Sequence, residues 1–179
     1  MTAPNKQTQA GETQNEREIG GSRCSLLREV IEEDLPIFFR HQLDPEANHL
    51  AAFTTKDPAN RELFMAHWRM LLTRESVIVR TITVEGRVIG NIFSYESDGH
   101  LEVSSWLGRE YWGSGYATRA LSGFLARVCQ HRPLYARSAK DNLRSVRVLE
   151  KCGFTIIGEG RGFGNGRGSE VEEYLFVLH

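Results

Sequence analysis

The sequence predicts an α/β (α+β) domain built on a mixed sheet, and three observations carry that prediction. Residues 77–107 hold three β-branched-rich runs joined by tight turns. Ala117, Ala120, Leu121, Phe124, Leu125 and Val128 recur at i, i+3, i+4, i+7, i+8 and i+11, the spacing of an amphipathic helix. After Pro133, short strand and helix patterns alternate to the end of the chain. The chain has 179 residues, a length that suits one domain. The expected division is a flexible tail over 1–22, rich in Thr, Gln, Asn, Gly and Glu, and a folded domain over 23–179.

Taken in order, Cys24–Val30 reads as a short strand. Leu35, Phe38 and Phe39 give Glu32–Gln42 a helical stripe. Pro45 and Pro58 bracket a segment without a clear period. Asp57-Pro58 reads as a helix cap followed by a first-turn proline, opening a helix through Leu63, Phe64, Trp68, Leu71 and Leu72. Strands are expected at Val77–Val84, Val88–Tyr95 and Leu101–Leu107, with turns at Glu85-Gly86 and Ser97-Asp98-Gly99; three such strands should be antiparallel. The amphipathic helix from Ala117 stops at Pro133. Leu134–Ser138 is a strand, and Asn142–Cys152 is a helix closed by Gly153. Phe154–Ile157 returns to β structure. The glycine-rich run Gly158–Ser169 reads as a loop, and Val171–Leu178 as a closing strand with Val171, Leu175 and Val177 on one face.

Composition narrows the function. A net charge of -1 gives no sign of a nucleic-acid partner. No apolar run approaches the roughly 20 residues that span a bilayer, and no apolar signal segment opens the chain. Cys24, Cys129 and Cys152 are odd in number and lack CxxC spacing, which predicts reduced thiols in a cytoplasmic protein. The histidines His41, His49, His67, His100 and His131 show no ligand spacing with carboxylates or thiols, so no metal is expected.

The chemistry gathers where the strand Leu101–Leu107 meets the helix from Ala117. The connector includes Trp112-Gly113-Ser114-Gly115-Tyr116. Glycines there allow a tight turn and a close ligand approach. A helix start offers free N–H groups and a positive dipole end, a site for phosphate or pyrophosphate. The run is not a P-loop, because no Gly-Lys-Ser/Thr follows. It is not a dinucleotide fingerprint either, because Thr118 stands where a third Gly or Ala is needed and no acidic residue follows at the required distance.

These residues resemble the GNAT N-acetyltransferase superfamily, whose pyrophosphate loop is Gln/Arg-x-x-Gly-x-Gly/Ala at a strand-to-helix junction. Trp112 replaces the first Gln or Arg, as in the branch of RimJ/RimL-like ribosomal-protein N-terminal acetyltransferases. The chain carries Trp106-Leu107 and then Tyr111-Trp112-Gly113-Ser114-Gly115-Tyr116-Ala117-Thr118. A second block, Asn142-Leu143-Arg144-Ser145 through Glu150-Lys151-Cys152-Gly153-Phe154, is similar to that branch's Asn-x-x-Ser…Glu-Lys-x-Gly-Phe helix. The resemblance covers about residues 24–178.

The resemblance implies a mostly antiparallel central sheet flanked by helices, with a splayed strand pair that holds acyl-coenzyme A. Backbone groups from Gly113 to Thr118 would hold the pyrophosphate of acetyl-CoA. The strand end Trp106-Leu107 and Asn142 would border the pantetheine arm; Asn142 also suits a helix N-cap. The reaction implied is transfer of an acetyl group to a primary amine, on a small molecule or a protein N-terminus, by direct attack in a ternary complex. Many superfamily members place a Tyr seven residues after the Asn; Leu149 stands there and cannot donate a proton. Ser145 fits the branch's acid position. Glu102, on one strand face with Ser104 and Trp106, is the expected base, with a solvated strand glutamate as the alternative; Glu170, Glu172 and Glu173 are weaker candidates, which a solvated edge strand explains adequately. The loss of the Tyr leaves a noncatalytic acyl-CoA sensor or partner-binding module as the competing reading. A homodimer is compatible with the sequence and not dictated by it.

Overall fold

The computed structural model describes residues 26–179. The expected tail over 1–22 and the first residues of the expected opening strand, including Cys24, lie outside the described residues. The elements run β1 (Leu26–Arg28), α1 (Leu35–Gln42), α2 (Pro45–Ala51), α3 (Arg61–Leu72), β2 (Ile78–Val84), β3 (Arg87–Ser97), β4 (His100–Leu107), α4 (Tyr116–Arg127), β5 (Leu134–Ala139), α5 (Leu143–Lys151), β6 (Thr155–Gly164) and β7 (Ser169–Leu178). The seven strands make one sheet in the order β1-β2-β3-β4-β5-β7-β6.

Every neighbouring pair is antiparallel except β4 and β5. Those two are parallel and pair only at Glu102↔Tyr135. By contrast, β3 follows β4 from Gly90↔Leu107 to Ser97↔His100. The ends of β4 and β5 at Leu107 and Ala139 therefore part from one another, as the splayed pair requires.

Both faces of the sheet are covered. On one face α4 and α5 deliver Ala120, Leu121, Phe124, Val146 and Leu149 onto Ile82, Ile89, Ile92, Leu134 and Phe176. Phe124 has no exposed surface, a burial that stabilises by about 2–3 kcal/mol. On the other face Leu35, Phe38, Phe64, Met65 and Trp68 of α1 and α3 pack with Val79. Asp34 pins this layer to the sheet. It is buried and accepts from Arg28 Nη1 and Nη2 (2.6 and 2.7 Å) and from the Thr81 hydroxyl (2.6 Å). Burial pushes its carboxyl up, but the bonds from Arg28, Thr81 and the Ile31 N–H outweigh burial and hold it below the ordinary range.

Four sequence expectations change. The segment after Pro45 is a helix, α2, capped by Asp44, whose side chain accepts from the Ala47 N–H at 2.8 Å. The next helix opens at Arg61, not Pro58, because Asn60 supplies the cap through the Leu63 N–H at 3.0 Å. Glu32–Asp34 is a 3-10 turn leading into α1 rather than its first turn. Gly158–Ser169 is not a loop but most of β6, the turn that follows and the first residue of β7. Gly158, Gly160, Gly162 and Gly164 alternate along β6, so one face of the strand has no side chains. A Cβ at Gly160 would sit 2.9 Å from Glu173 Oε1, one at Gly162 3.3 Å from the Phe53 ring, and one at Gly164 2.8 Å from Val171 Cγ2. Close packing against that face, rather than turn geometry, explains Gly160, Gly162 and Gly164.

Candidate active site

The splay between β4 and β5 opens into a cleft of about 1500 Å³. It is bordered by β3, β4, β5, the connector before α4, α5 and the α2–α3 segment. The connector is built for close approach. Gly113 and Gly115 hold φ of 78° and 77°, a left-handed conformation that favours glycine, and a Cβ at either would meet nothing within 4 Å. Gly115 is the N-cap of α4 and offers no side-chain cap, so the first N–H groups of α4, from Tyr116, Ala117 and Thr118, have no side-chain cap at the cleft. Ser114 lies between the two glycines. Trp112 donates its indole N–H to the Leu107 carbonyl at 3.1 Å, fastening the connector to the end of β4. That bond gives a local reason for Trp in place of Gln or Arg. Arg144 of α5 stacks over the Trp112 ring at 5.0 Å, and Arg147 and Lys151 follow it along the same wall. This end of the cleft is cationic and rich in N–H donors, which suits phosphates.

The other end holds a charged group that sequence reasoning read only in part. Glu102 lines the cleft as expected, but it is buried, not solvated. Its Oε1 accepts from Arg137 Nε (3.2 Å) and Nη2 (2.9 Å), and its Oε2 accepts from the Tyr95 hydroxyl (3.0 Å). Arg137 also reaches Glu173 Oε1 at 3.8 Å and Asp98 at 3.9 Å. Burial, then the charge of Glu102, push the Tyr95 hydroxyl up to about 12, so it stays protonated as a donor. Burial raises the Glu173 carboxyl above its ordinary range; Arg137 opposes the shift and Glu102 adds to it.

The expectation of a solvated edge strand fails for Glu173. The edge strand is β6; β7 lies between β5 and β6, and Glu173 is 7% exposed. A signal was present: Glu173 stands in phase with Val171, Leu175 and Val177 on the face already read as apolar. Arg137 and Tyr95 gave no such signal, since each is an ordinary strand residue until the sheet brings it to Glu102.

Raising the Glu173 pKa has a measurable consequence. The folded protein holds this proton to a higher pH than the unfolded chain does. Stability is therefore unaffected by the group at low pH and falls as pH rises from the ordinary carboxyl value, about 4.3, through the raised one. Glu173→Gln removes that titration. Its melting temperature relative to the parent is expected to climb between pH 4 and pH 8; a flat or falling difference in a pH series of thermal melts would contradict the assignment.

On α5, Asn142 is the N-cap, accepting from the Ser145 N–H at 3.2 Å, and its amide donates to the Leu50 carbonyl at 3.1 Å. It thus ties the wall of the cleft to α2. Ser145 is half-buried and lines the cleft beside it, while Leu149 is core. Trp106 and Leu107 line the end of β4, opposite Asn91 and Gly90 on β3. The connector, β4, Asn142 and Ser145 therefore converge on one cleft, as their motifs require. Among the described residues no group of His, Cys, Asp and Glu could hold a metal ion, and no helix is long and apolar enough to cross a membrane.

The comparisons with known proteins agree with this architecture. The uncharacterized N-acetyltransferase p20 of Bacillus licheniformis is 27% identical over 164 residues, spanning 85% of this chain and 90% of that protein. RimL, a ribosomal L7/L12 alpha-N-protein acetyltransferase solved with coenzyme A, superposes with a TM-score of 0.71 at 19% identity, over 88% of this chain and 96% of that one. Spermidine N-acetyltransferase from Vibrio cholerae, solved with coenzyme A and spermine, gives 0.72 at 17% identity, over 87% and 96%. At such identities these two structures speak for the fold alone. The family model described as the acetyltransferase (GNAT) domain matches residues 25–155, from before β1 to the start of β6, and on that match the chain belongs to the GNAT acetyltransferase family.

Proposed function

We propose that this protein transfers the acetyl group of acetyl-CoA to a primary amine by direct attack in a ternary complex. The observation that carries the reading is the coincidence, in one cleft, of a single-pairing splay between β4 and β5 with a glycine connector opening on the α4 N-terminus. The N–H groups from Gly113 to Thr118 would take the pyrophosphate, with Arg144 nearby. The unpaired edges of β4 and β5, near Trp106, Leu107 and Asn142, would take the pantetheine amides. RimL and the spermidine enzyme, each solved with coenzyme A, support the choice of cosubstrate. The motif run favours a RimJ/RimL-like chemistry. The free thiols Cys129 and Cys152 fit a cytoplasmic setting.

Chemically, the ammonium of the acceptor first gives its proton to Glu102, directly or through water. Glu102 does this as one member of the Glu102–Arg137–Glu173 group, in which both carboxyl groups face the same guanidinium. The neutral nitrogen then attacks the thioester carbonyl carbon, the N–C bond forms and the C–S bond breaks. Bond formation leaves the nitrogen with a second proton to shed, and the departing thiolate takes that proton by way of Ser145 or water. Ser145 is a poor acid by its own pKa, so its part is to hydrogen-bond the sulfur. Leu149 at the usual Tyr position is the feature that keeps the sensor reading in play.

A thermal shift with acetyl-CoA, coenzyme A, ATP and NAD tests the first half. A ligand at 100 times its Kd adds about 2.7 kcal/mol, or roughly 5–10 °C for a domain of this size. Stabilisation by the two coenzyme A forms and not by ATP or NAD is expected; its absence would sink the reading. Thioester turnover across an amine panel tests the second half, and binding without turnover would favour the sensor.

A further inference from the structure

The two ends of the cleft differ in chemistry. Away from the basic wall of α5 the lining is aromatic. Phe64 and Trp68 of α3 and Phe93 and Tyr95 of β3 form a connected series of rings, with centroid separations of 5.9, 6.1 and 5.5 Å in turn. At the mouth stand Phe53, Leu63 and Phe163, exposed by 39, 64 and 63%. Three large apolar side chains around one opening form a surface that folding alone leaves uncovered.

The charge in this half is sparse. Glu102 and Glu173 share the one guanidinium of Arg137, so this group has at most one negative charge left over. The remaining acids that line it, Asp57 and Asp98, are exposed at the rim, where Arg161 also stands. Asn91, 3% exposed, adds a neutral acceptor: its Oδ1 is buried with no hydrogen-bond partner among the described residues, on the strand face it shares with Phe93 and Tyr95. An unsatisfied buried carbonyl oxygen of this kind is costly until an N–H reaches it.

We infer that the acceptor is a monoamine whose single ammonium sits on an aromatic or bulky aliphatic body, and not a polycation. The body lies in the cleft against the wall that Trp68, Phe93 and Tyr95 form, where ring contacts and burial hold it. The ammonium faces the leftover negative charge, with ring faces beside it. A polyamine would bring several ammonium groups into a chamber that neutralises at most one, leaving the rest desolvated among rings. The inference rests on the acetyl-CoA reading of the basic end.

The test is calorimetric titration of the full chain saturated with coenzyme A, using phenethylamine, ethylamine and spermidine. Phenethylamine is expected to bind at least tenfold more tightly than either of the others. The double variant Leu63→Ser/Phe163→Ser, changed only at exposed positions, is expected to weaken phenethylamine three- to tenfold while its coenzyme A affinity stays put. Spermidine binding as tightly as phenethylamine overturns the inference. So does coenzyme A binding with no uptake of phenethylamine, an outcome that leaves the acetyl-CoA reading standing. Failure of coenzyme A itself to bind removes both.

Discussion

Gly115→Val is expected to cost at least a hundredfold in coenzyme A affinity, about 3 kcal/mol, while leaving a folded protein. Gly115 sits at φ 77°, ψ 4°, so a β-branched residue there pays about 1–2 kcal/mol of backbone strain. A Cβ at this position meets no protein atom within 4 Å, so the new side chain has room in the unliganded fold. The room it takes is the approach to the first N–H groups of α4, where the pyrophosphate is proposed to lie. Isothermal titration with coenzyme A measures the loss, and a thermal melt measures the strain separately. An affinity drop below threefold in a folded variant would mean that the phosphates are held elsewhere.

Gly90→Ala is expected to damage the fold itself, lowering stability by about 3 kcal/mol or more and the melting temperature by about 6–12 °C. Gly90 on β3 lies opposite Leu107. An added Cβ would overlap the Trp106 carbonyl oxygen and stand 2.8 Å from Leu107 Cδ2 and 3.0 Å from Leu107 Cα. Two of those three atoms are backbone, so no rotamer change relieves the clash. The end of β4 would have to lift from β3 at the residues that border the cleft. Gly99→Ala is the matched control: its Cβ meets nothing, and only the left-handed φ of 76° is strained, about 1 kcal/mol. Comparable melts for the two variants would show that the β3–β4 contact at Trp106 yields easily.

Legibility in the sequence followed how local each signal was. The strands of the meander announced themselves by β-branched runs between Glu85-Gly86 and Asp98-Gly99, and all three are present. The helix α4 was readable from its apolar period, and α5 from Asn142 at one end and Gly153 at the other. The connector Trp112–Tyr116 was readable because its glycines do local work, holding positive φ at a helix start. The glycines of β6 look the same in the sequence but do non-local work. They are small because Phe53, Val171 and Glu173 press on the strand, and nothing within Gly158–Ser169 states that. The start of α3 slipped for a milder reason: Asp57 and Asn60 are both good caps, and only the geometry of the chain selects Asn60.

The sequence by itself determined the order of elements, apart from α2, and the family motifs at the α4 and α5 starts. Period, turn and cap signals are written within a few neighbours, and the residues singled out from the sequence, Glu102, Ser145 and Asn142, line one cleft. What only the tertiary structure decided is the electrostatic state of that site. Glu102 meets Arg137 across 35 positions and Tyr95 across the β3–β4 ladder, and Glu173 joins them because β7 is inserted between β5 and β6. Burial and charge pairing depend on which strands become neighbours, and that depends on the whole sheet. A glutamate in a strand pattern therefore reads as solvated until the fold surrounds it.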